Sequence, residues 1–189
     1  MPTTSAYVAV FAVAVAATLG ATPAWRWVAV RLGVVAPVTD RAVHSRPVPY
    51  LGGLAMLSGF LAAFGVAWGF GGFGAVFETL TVPLGVALGA VILCGVGTLD
   101  DVRDVSAPAK TAGVVLAGSV MYVLGVSLLY FRLPFVDTLF VLGPDLAPLV
   151  SVLWVLGMAN AVNLIDGLDG LAAGIVAIAA GSFFLYGHK

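Results

Sequence analysis

The chain has 189 residues, of which 61% are hydrophobic and only 9% are charged, and its formal net charge at pH 7 is −1. Together with a mean hydropathy of +1.13, this composition lies far outside the range of soluble globular domains and predicts an integral membrane protein. The near-zero charge and the lack of a basic patch with interleaved aromatics argue against a nucleic-acid partner. The single cysteine, Cys94, cannot form an intrachain disulfide and is interpreted as a small buried hydrophobe.

Six apolar runs, each close to the length that crosses a bilayer core, follow one another along the chain. They cover residues 6–25, 51–70, 82–99, 109–129, 149–165 and 171–186. The pattern predicts an all-α integral membrane protein with about six transmembrane helices, built as a single polytopic membrane domain over residues 1–189. Glycines inside the runs predict close helix packing, among them Gly85, Gly89, Gly113 and Gly118.

The connections around the fourth run carry their own signals. Ser106 and Pro108 are residue types that start a helix, which places the beginning of the fourth helix there. Between the fourth and fifth runs, residues 130–148 alternate loosely and contain the turn signal Gly143-Pro144-Asp145. This stretch favours a small extracytoplasmic hairpin.

Basic residues are divided unequally between the two sides of such a bundle. The loops after the first and third runs hold Arg26, Arg31, Arg41, Arg46, Arg103 and Lys110. The other side holds Arg132 and Lys189. Because basic residues concentrate in cytoplasmic loops, the first, third and fifth runs are predicted to end in the cytoplasm, with the N-terminus outside. The polar clusters that follow these runs then share the cytoplasmic face of a plasma or inner membrane.

The stretch from residue 160 to residue 174 places polar side chains at intervals of three in an otherwise apolar run. These side chains are Asn160, Asn163, Asp166 and Asp169. At membrane depth such groups need a water-filled cavity, a cation or a polar ligand, so an intramembrane site is the default hypothesis. A turn near Gly167 would end one helix near Asp166 and start the next near Leu171. The oxygen ligands suit Mg²⁺, whereas hydrogen bonding between packed helices would account for either asparagine alone.

Three aspartates, Asp100, Asp101 and Asp104, follow the third run. Like charges this close repel each other unless a cation or a proton lies between them. A helix C-terminus also disfavours anions, so a purely structural placement has little physical motive. The alternative is a solvated helix end near Arg103 and Lys110.

His44 and Arg46 lie among prolines in the loop after the first run. An arginine in this loop could hold phosphate or uracil oxygens. Alternatively, it anchors the loop on the cytoplasmic side of the membrane. His44 alone is weak evidence for a functional site.

Four segments resemble those of a known family, in the order that the family has them. They are Asp40 with residues 44–53, residues 97–104, Lys110, and residues 160–174. Over these segments the chain is similar to the polyprenyl-phosphate N-acetylhexosamine-1-phosphate transferases, the glycosyltransferase 4 family that contains MraY, WecA and TagO. Residues 47–53, Pro-Val-Pro-Tyr-Leu-Gly-Gly, resemble the WecA/TagO branch.

The resemblance implies transfer of a sugar 1-phosphate from a UDP-N-acetylhexosamine to undecaprenyl or another polyprenyl phosphate, with Mg²⁺ and release of UMP. This reaction begins the synthesis of a cell-envelope glycan such as teichoic acid or lipopolysaccharide. Asp100 and Asp101 would meet the lipid phosphate, with Asp100 as the base. A catalytic Asp166 would face the metal and the diphosphate together with the metal-binding Asn160 and Asn163. The substrate-binding residues would be His44, Arg46, Lys110, Gly167, Leu168 and Asp169.

The resemblance also carries an expectation about length and leaves alternatives open. Family members typically have ten or more spans, so this chain is expected to be the N-terminal part of a longer family domain. The CDP-alcohol phosphotransferases share the pattern of residues 166–173, but they need an arginine where Gly174 stands. The remaining alternatives are a non-catalytic membrane module, an ion-coupled carrier or an inactive truncated transferase. Assembly as a homodimer is left open.

Overall fold

The computed structural model describes residues 2–36, 48–132, 138–168 and 170–187. Within these ranges the chain forms six long helices in chain order. They are α1 (Thr4–Leu32), α2 (Gly52–Gly69), α4 (Thr81–Arg103), α5 (Ala107–Val123), α6 (Ala147–Ile165) and α7 (Leu171–Gly187). A 3₁₀ turn (Gly71–Phe73) and the short α3 (Gly74–Phe77) connect α2 to α4. The prediction of an all-α membrane protein is confirmed.

Length and apolarity separate the six helices into two groups. In the described part of the chain, α1, α2, α4 and α6 are long and apolar enough to cross a membrane. The helices α5 and α7 are also apolar but have 17 residues each. Each predicted apolar run therefore corresponds to one helix, while the predicted number of about six transmembrane helices stays a prediction.

The predicted ends of two helices were wrong by several residues. The first helix does not stop at Trp25 but continues to Leu32, where Gly33 adopts a left-handed φ of 71° and donates its N–H to carbonyls of the last turn. Arg26 and Arg31 are therefore helical, and the Arg31 guanidinium lies 4.0 Å from the centre of the Trp27 ring. Cation–π contact and left-handed capping both stabilise such an end.

The end of α4 was predicted correctly, whereas that of α5 was not. Helix α4 extends beyond its apolar run, which ends at Leu99, and continues through Asp100 and Asp101 to Arg103, so these aspartates lie at the helix C-terminus as expected. Helix α5 stops at Val123, short of the predicted Leu129. Its end is set by Gly125, whose φ of 95° belongs to the left-handed region that glycine adopts at little cost.

Two short antiparallel ribbons complete the described secondary structure. The predicted hairpin before α6 is confirmed: β3 (Tyr130–Arg132) pairs with β4 (Leu139–Val141), and the rings of Phe131 and Phe140 stack 5.4 Å apart. A second ribbon, β1 (Val35–Ala36) with β2 (Val48–Pro49), closes the base of the loop after α1. No strand was predicted in that loop.

Neighbouring helices pack closely through small residues. Gly59 of α2 lies against Ala14 and Thr18 of α1, and Gly113 of α5 lies against Val96 of α4. A Cβ on Gly118 of α5 would meet Val152 and Val155 of α6 at 3.4 Å. Gly85 and Gly89 of α4 face Leu124 and Met121. All four glycines predicted to be close-packing residues thus lie at helix contacts, because small residues let helix backbones approach closely where lipid surrounds the bundle.

The order of packing determines which helix ends meet. Helix α1 packs on α2, α2 on α4, α4 on α5, and α5 on α6. A hydrogen bond of 2.8 Å from the Leu128 N–H to the Ser151 hydroxyl joins the segment after α5 to the first turns of α6. The C-terminal ends of α1, α4 and α6 therefore share one end of the bundle with the N-terminal ends of α2 and α5. We call this the polar end; it contains residues 48–52, 100–110, 163–168 and 170–171.

Candidate active site

Asp100 lies in the last turn of α4 and is held by two donors. Lys110 Nζ lies 2.6 Å from Asp100 Oδ1, and the backbone N–H of Val105 donates to the same oxygen at 3.1 Å. Lys110 is in the first turns of α5, which starts after Ser106 with a proline in its first two positions, as the sequence predicted. The exposed fractions are 31% for the Asp100 side chain and 40% for that of Lys110, so the pair is reachable from outside.

Asp101 points to a different helix. Its Oδ2 accepts a hydrogen bond of 3.1 Å from the backbone N–H of Leu51, the residue that precedes α2. Leu51 is only 3% exposed and has a φ of 71°, in the left-handed region that non-glycine residues rarely adopt. No side chain of its own segment caps α2. Asp101 therefore supplies a cap from another helix.

These contacts explain how two adjacent carboxylates are accommodated at a helix C-terminus. The macrodipole of α4 disfavours anions at this end, and the two charges repel each other. One cation and two backbone N–H groups compensate for this cost, and the two carboxylates diverge toward α5 and α2. Asp104 is the C-cap of α4, with a left-handed φ of 49°. Its side chain is exposed.

A cavity of about 320 Å³ lies between α2 and α4, next to Asp101. It is lined by Leu51, Gly53, Met56, Leu93, Cys94, Gly97, Thr98 and Asp101. Cys94, expected to be buried, is only partly so because it faces this cavity. A second cavity of about 360 Å³ lies beside the β2 end of the loop after α1. It is lined by Thr22, Arg26, Val48, Pro49, Tyr50, Leu51 and Gly52.

The polar stretch after residue 160 folds as the sequence predicted. Helix α6 ends at Ile165, Asp166 occupies its C-cap with a φ of −81° and ψ of 51°, and α7 begins at Leu171. Gly170 has a φ of 81°, which a residue with a side chain would adopt only with strain. The predicted break between two helices is confirmed, and it leaves Gly167 and Leu168 exposed at the polar end.

The polar side chains at positions 160, 163 and 166 are exposed on the surface of the bundle. The Asn160 carboxamide nitrogen donates to the Leu156 carbonyl of its own helix at 2.8 Å, which leaves the carboxamide oxygen as the atom that could bind a ligand. Asn163 and Asp166 are exposed. Among the described residues, no hydrogen bond or ion pair joins this stretch to Asp100 or Asp101, although both clusters lie at the polar end of the bundle.

Three predicted site residues, His44, Arg46 and Asp169, lie outside the described residues, as does Asp40. In the described part of the chain, no group of three or more His, Cys, Asp or Glu side chains is placed to hold a metal ion. These four residue types do not include asparagine, whose oxygens were predicted from the sequence to be metal ligands. The roles of Asn160 and Asn163 in metal binding therefore remain predictions.

The two backbone donors that hold the aspartates, the N–H groups of Leu51 and Val105, were not predicted from the sequence. A main-chain donor leaves no trace in residue identity, and Leu51 is an unusual residue for a left-handed position. Its sequence neighbours Gly52 and Gly53 were the nearest signal of a tight chain reversal at this point.

The position of the charges bears on the class of protein. Asp100 and Asp101 lie in the last turn of α4, and Asp166 follows the last residue of α6. A carrier would be expected to bind its ion near the midplane of the membrane. The fold and the site thus define a helical membrane protein in which Asp100, Asp101 and Asp166 lie at one end of the bundle.

Comparison with known proteins identifies the family. The family model described as Glycosyl transferase family 4 matches residues 83–189, and the chain belongs to this family. The resemblance stated from the sequence is thereby confirmed.

Relatives extend the comparison over most of the chain. The chain is 37% identical to a probable undecaprenyl-phosphate N-acetylglucosaminyl 1-phosphate transferase of Bacillus subtilis, over 90% of this chain and 45% of that protein. It is 40% identical to a decaprenyl-phosphate N-acetylglucosaminephosphotransferase of Mycobacterium tuberculosis, over 86% of this chain and 41% of that protein. A phospho-N-acetylmuramoyl-pentapeptide-transferase of Streptomyces avermitilis is 32% identical over 78% of this chain and 45% of its own length. The chain thus spans less than half the length of these relatives, and no solved structure matches it.

Proposed function

We propose that this chain carries part of the active site of an enzyme that transfers N-acetylhexosamine 1-phosphate from a UDP-sugar to polyprenyl phosphate and releases UMP. The observation that carries the proposal is the Asp100–Lys110 pair at the polar end, an anion and a cation within 2.6 Å and both accessible. N-Acetylglucosamine is the favoured sugar, since relatives named for it are 37% and 40% identical and one named for N-acetylmuramoyl-pentapeptide is 32% identical.

In this reaction an oxygen of the lipid phosphate attacks the sugar-linked phosphorus of the UDP-sugar. The new phosphorus–oxygen bond forms as the bond to the bridging oxygen breaks, and that oxygen leaves with UMP. Asp100 is proposed as the base that keeps the attacking oxygen ionised. Lys110 keeps Asp100 in place and offers a cation to the phosphates. Phosphoryl transfer depends mainly on positioning and on neutralising charge, which these two side chains can provide.

The proposed magnesium ligands are Asn160, Asn163 and Asp166, whose hard oxygen donors fit the ion. The exposure of Asn163 and Asp166 and the outward oxygen of Asn160 support this assignment. Bound Mg²⁺ would supply charge neutralisation on the diphosphate. Asp166, at the start of the turn, is also placed to contact the diphosphate.

The remaining substrate contacts are proposed from the resemblance. Gly167 and Leu168 are exposed in the turn between α6 and α7, where a uridine could lie against the backbone. Asp169 is proposed to complete this pocket. Arg46 and His44 are proposed to hold the nucleotide from the loop after α1. The charge distribution between loops supports placing the polar end on the cytoplasmic face of the plasma or inner membrane, where UDP-sugars are available.

The proposal is tested by assaying UMP release by the intact gene product, purified in detergent or kept in native membranes. We expect UMP release from UDP-N-acetylglucosamine that depends on added undecaprenyl phosphate and yields lipid-linked sugar diphosphate in equal amount. UDP-glucose is the matched control, because it lacks the N-acetyl group. UMP release without a polyprenyl-phosphate acceptor, or transfer of the sugar without phosphate, would contradict the proposal.

A further inference from the structure

The start of α2 is held in an unfavourable conformation. Leu51 has φ 71° and ψ 14°, and for a leucine this left-handed geometry brings Cβ against the backbone. Such a residue persists only where its surroundings determine it. Two contacts do so here. The side chain is buried with Ala29 and Val34 at the end of α1, and the N–H donates to Asp101 Oδ2 at 3.1 Å.

The Asp101 carboxylate is suited to this role by position and charge. It lies at the N-terminal end of α2, where unpaired N–H groups and the helix macrodipole favour an anion. The bond joins α4 to the corner formed by α1, the β1–β2 ribbon and α2. In that corner the N–H of Tyr50 donates to the Val34 carbonyl at 3.1 Å. The geometry of residues 48–53 therefore depends on a residue fifty positions away in sequence.

We propose that Asp101 is a positioning residue: through the Leu51 N–H it fixes the start of α2 and the preceding residues 48–50. The inference rests on the proposed function, because residues 48–50 continue from the segment that is proposed to bind the nucleotide. The proposal gives the two adjacent aspartates different roles. Asp100 is paired with Lys110 and is proposed to meet the reacting phosphates, whereas Asp101 is bonded to the start of α2 and is proposed not to contact the lipid phosphate.

Two conservative variants of Asp101 distinguish these roles. In Asp101→Asn the carboxamide oxygen can still accept the Leu51 N–H although the charge is lost. In Asp101→Glu the charge is kept, but the longer side chain displaces the oxygen. A positioning role predicts that Asp101→Asn keeps most of the activity, because the geometry of the cap is kept although its charge is lost, and that Asp101→Glu loses more. A role in which the charge acts directly on the substrate predicts the reverse order. Asp104→Asn, an exposed aspartate at the same helix end, is the matched control.

The measurements are hydrogen exchange of the Leu51 amide, the rate of Cys94 alkylation, and the kinetics of UMP release. Cys94 lines the same cavity as Leu51 and Asp101, so its alkylation reports opening of the α2–α4 contact. In Asp101→Glu we expect exchange at Leu51 to be faster by about tenfold or more, as for loss of a hydrogen bond to a charged group. We also expect faster Cys94 alkylation and a KM for the UDP-sugar raised by about tenfold, with kcat changed less. In Asp101→Asn all of these should stay within about threefold of wild type.

The proposal stands if the KM for the UDP-sugar follows the protection of the Leu51 amide across the variants. It is overturned if Asp101→Asn loses kcat while Leu51 remains protected, or if Asp101→Glu leaves Leu51 protected. Absence of UMP release from the wild type would overturn the proposed function. In that case Leu51 exchange and Cys94 alkylation still decide whether Asp101 fixes the start of α2.

Discussion

The ammonium group of Lys110 lies 2.6 Å from Oδ1 of Asp100, and this ion pair joins the last turn of α4 to the first turns of α5. Between them the chain reverses over residues 104–106, and the Val105 N–H donates to the same carboxylate oxygen at 3.1 Å. The turn is thus arranged around one carboxylate. Asp100 has a fixed orientation at the accessible end of the bundle, which is what a base for a phosphate acceptor requires.

Asp100→Asn should abolish UMP release, because a carboxamide cannot take a proton from the acceptor phosphate. We expect a loss of about a hundredfold or more in kcat, the range for removal of a general base. The assay is UMP release by the intact gene product with undecaprenyl phosphate. Asp104→Asn should retain wild-type rates, and wild-type turnover by Asp100→Asn would exclude Asp100 as the base.

Lys110→Met should reduce activity far more than stability. The pair is partly exposed, so its loss should change the free energy of unfolding by about 1 kcal/mol or less. Activity should fall about tenfold or more, because Asp100 loses its orienting partner and the phosphates lose a cation. Thermal unfolding in detergent and UMP release are measured side by side. The activity of Lys110→Arg, which keeps the charge, should lie between those of Lys110→Met and the wild type. Equal activity of Lys110→Met and wild type would contradict the role of Lys110 in orienting Asp100 and binding phosphate.

Removal of divalent cations with EDTA should stop UMP release, and added Mg²⁺ should restore it. Asn163→Ala is expected to raise the Mg²⁺ concentration needed for half-maximal activity by about tenfold, the scale of losing a group that supports a metal site. Ser182→Ala is the control, since the Ser182 hydroxyl donates to the Ile178 carbonyl within α7. An unchanged Mg²⁺ dependence in Asn163→Ala would remove Asn163 from the metal site.

Gly59→Ala and Gly65→Ala form a matched pair within α2. A Cβ on Gly59 would collide with Thr18 and lie 2.8 Å from the Ala14 carbonyl oxygen of α1, whereas nothing lies within 4 Å of a Cβ on Gly65. We expect Gly59→Ala to lower the free energy of unfolding by about 1–3 kcal/mol through overpacking. Gly65→Ala should be neutral or slightly stabilising, because alanine favours helix. Thermal unfolding of both variants tests the α1–α2 contact, and equal stability would contradict it.

Ser151→Ala should destabilise the fold although it removes a single oxygen. Ser151 is 5% exposed and accepts the Leu128 N–H at 2.8 Å. Without the hydroxyl this N–H is left without a partner, at a cost of about 1–3 kcal/mol. Ser119→Ala is the control, because the Ser119 hydroxyl bonds to the Val115 carbonyl of its own helix. Thermal unfolding and hydrogen exchange of the Leu128 amide should separate the two variants. Identical exchange of this amide in both variants would refute the Leu128–Ser151 hydrogen bond.

The amino-acid sequence alone determined the class of structure and the family. Six apolar runs predicted six helices because hydrophobic length is itself the requirement for crossing a bilayer. The break after Asp166 and the hairpin before α6 were predictable because glycine and proline act locally on the backbone. The Asp100 and Asp166 segments were among those whose resemblance indicated the family, and the comparison confirmed the family.

Only the tertiary structure decided how the two adjacent aspartates are used. Their partners are Lys110 and two backbone N–H groups, and the donor for Asp101 belongs to Leu51, fifty residues away. The left-handed conformation of Leu51 and the β1–β2 ribbon follow from the same long-range contacts and run against local preference. Residue identity encodes hydropathy and turn chemistry directly, but a main-chain donor is present in nearly every residue. Which donor meets which carboxylate is therefore decided only when the helices pack.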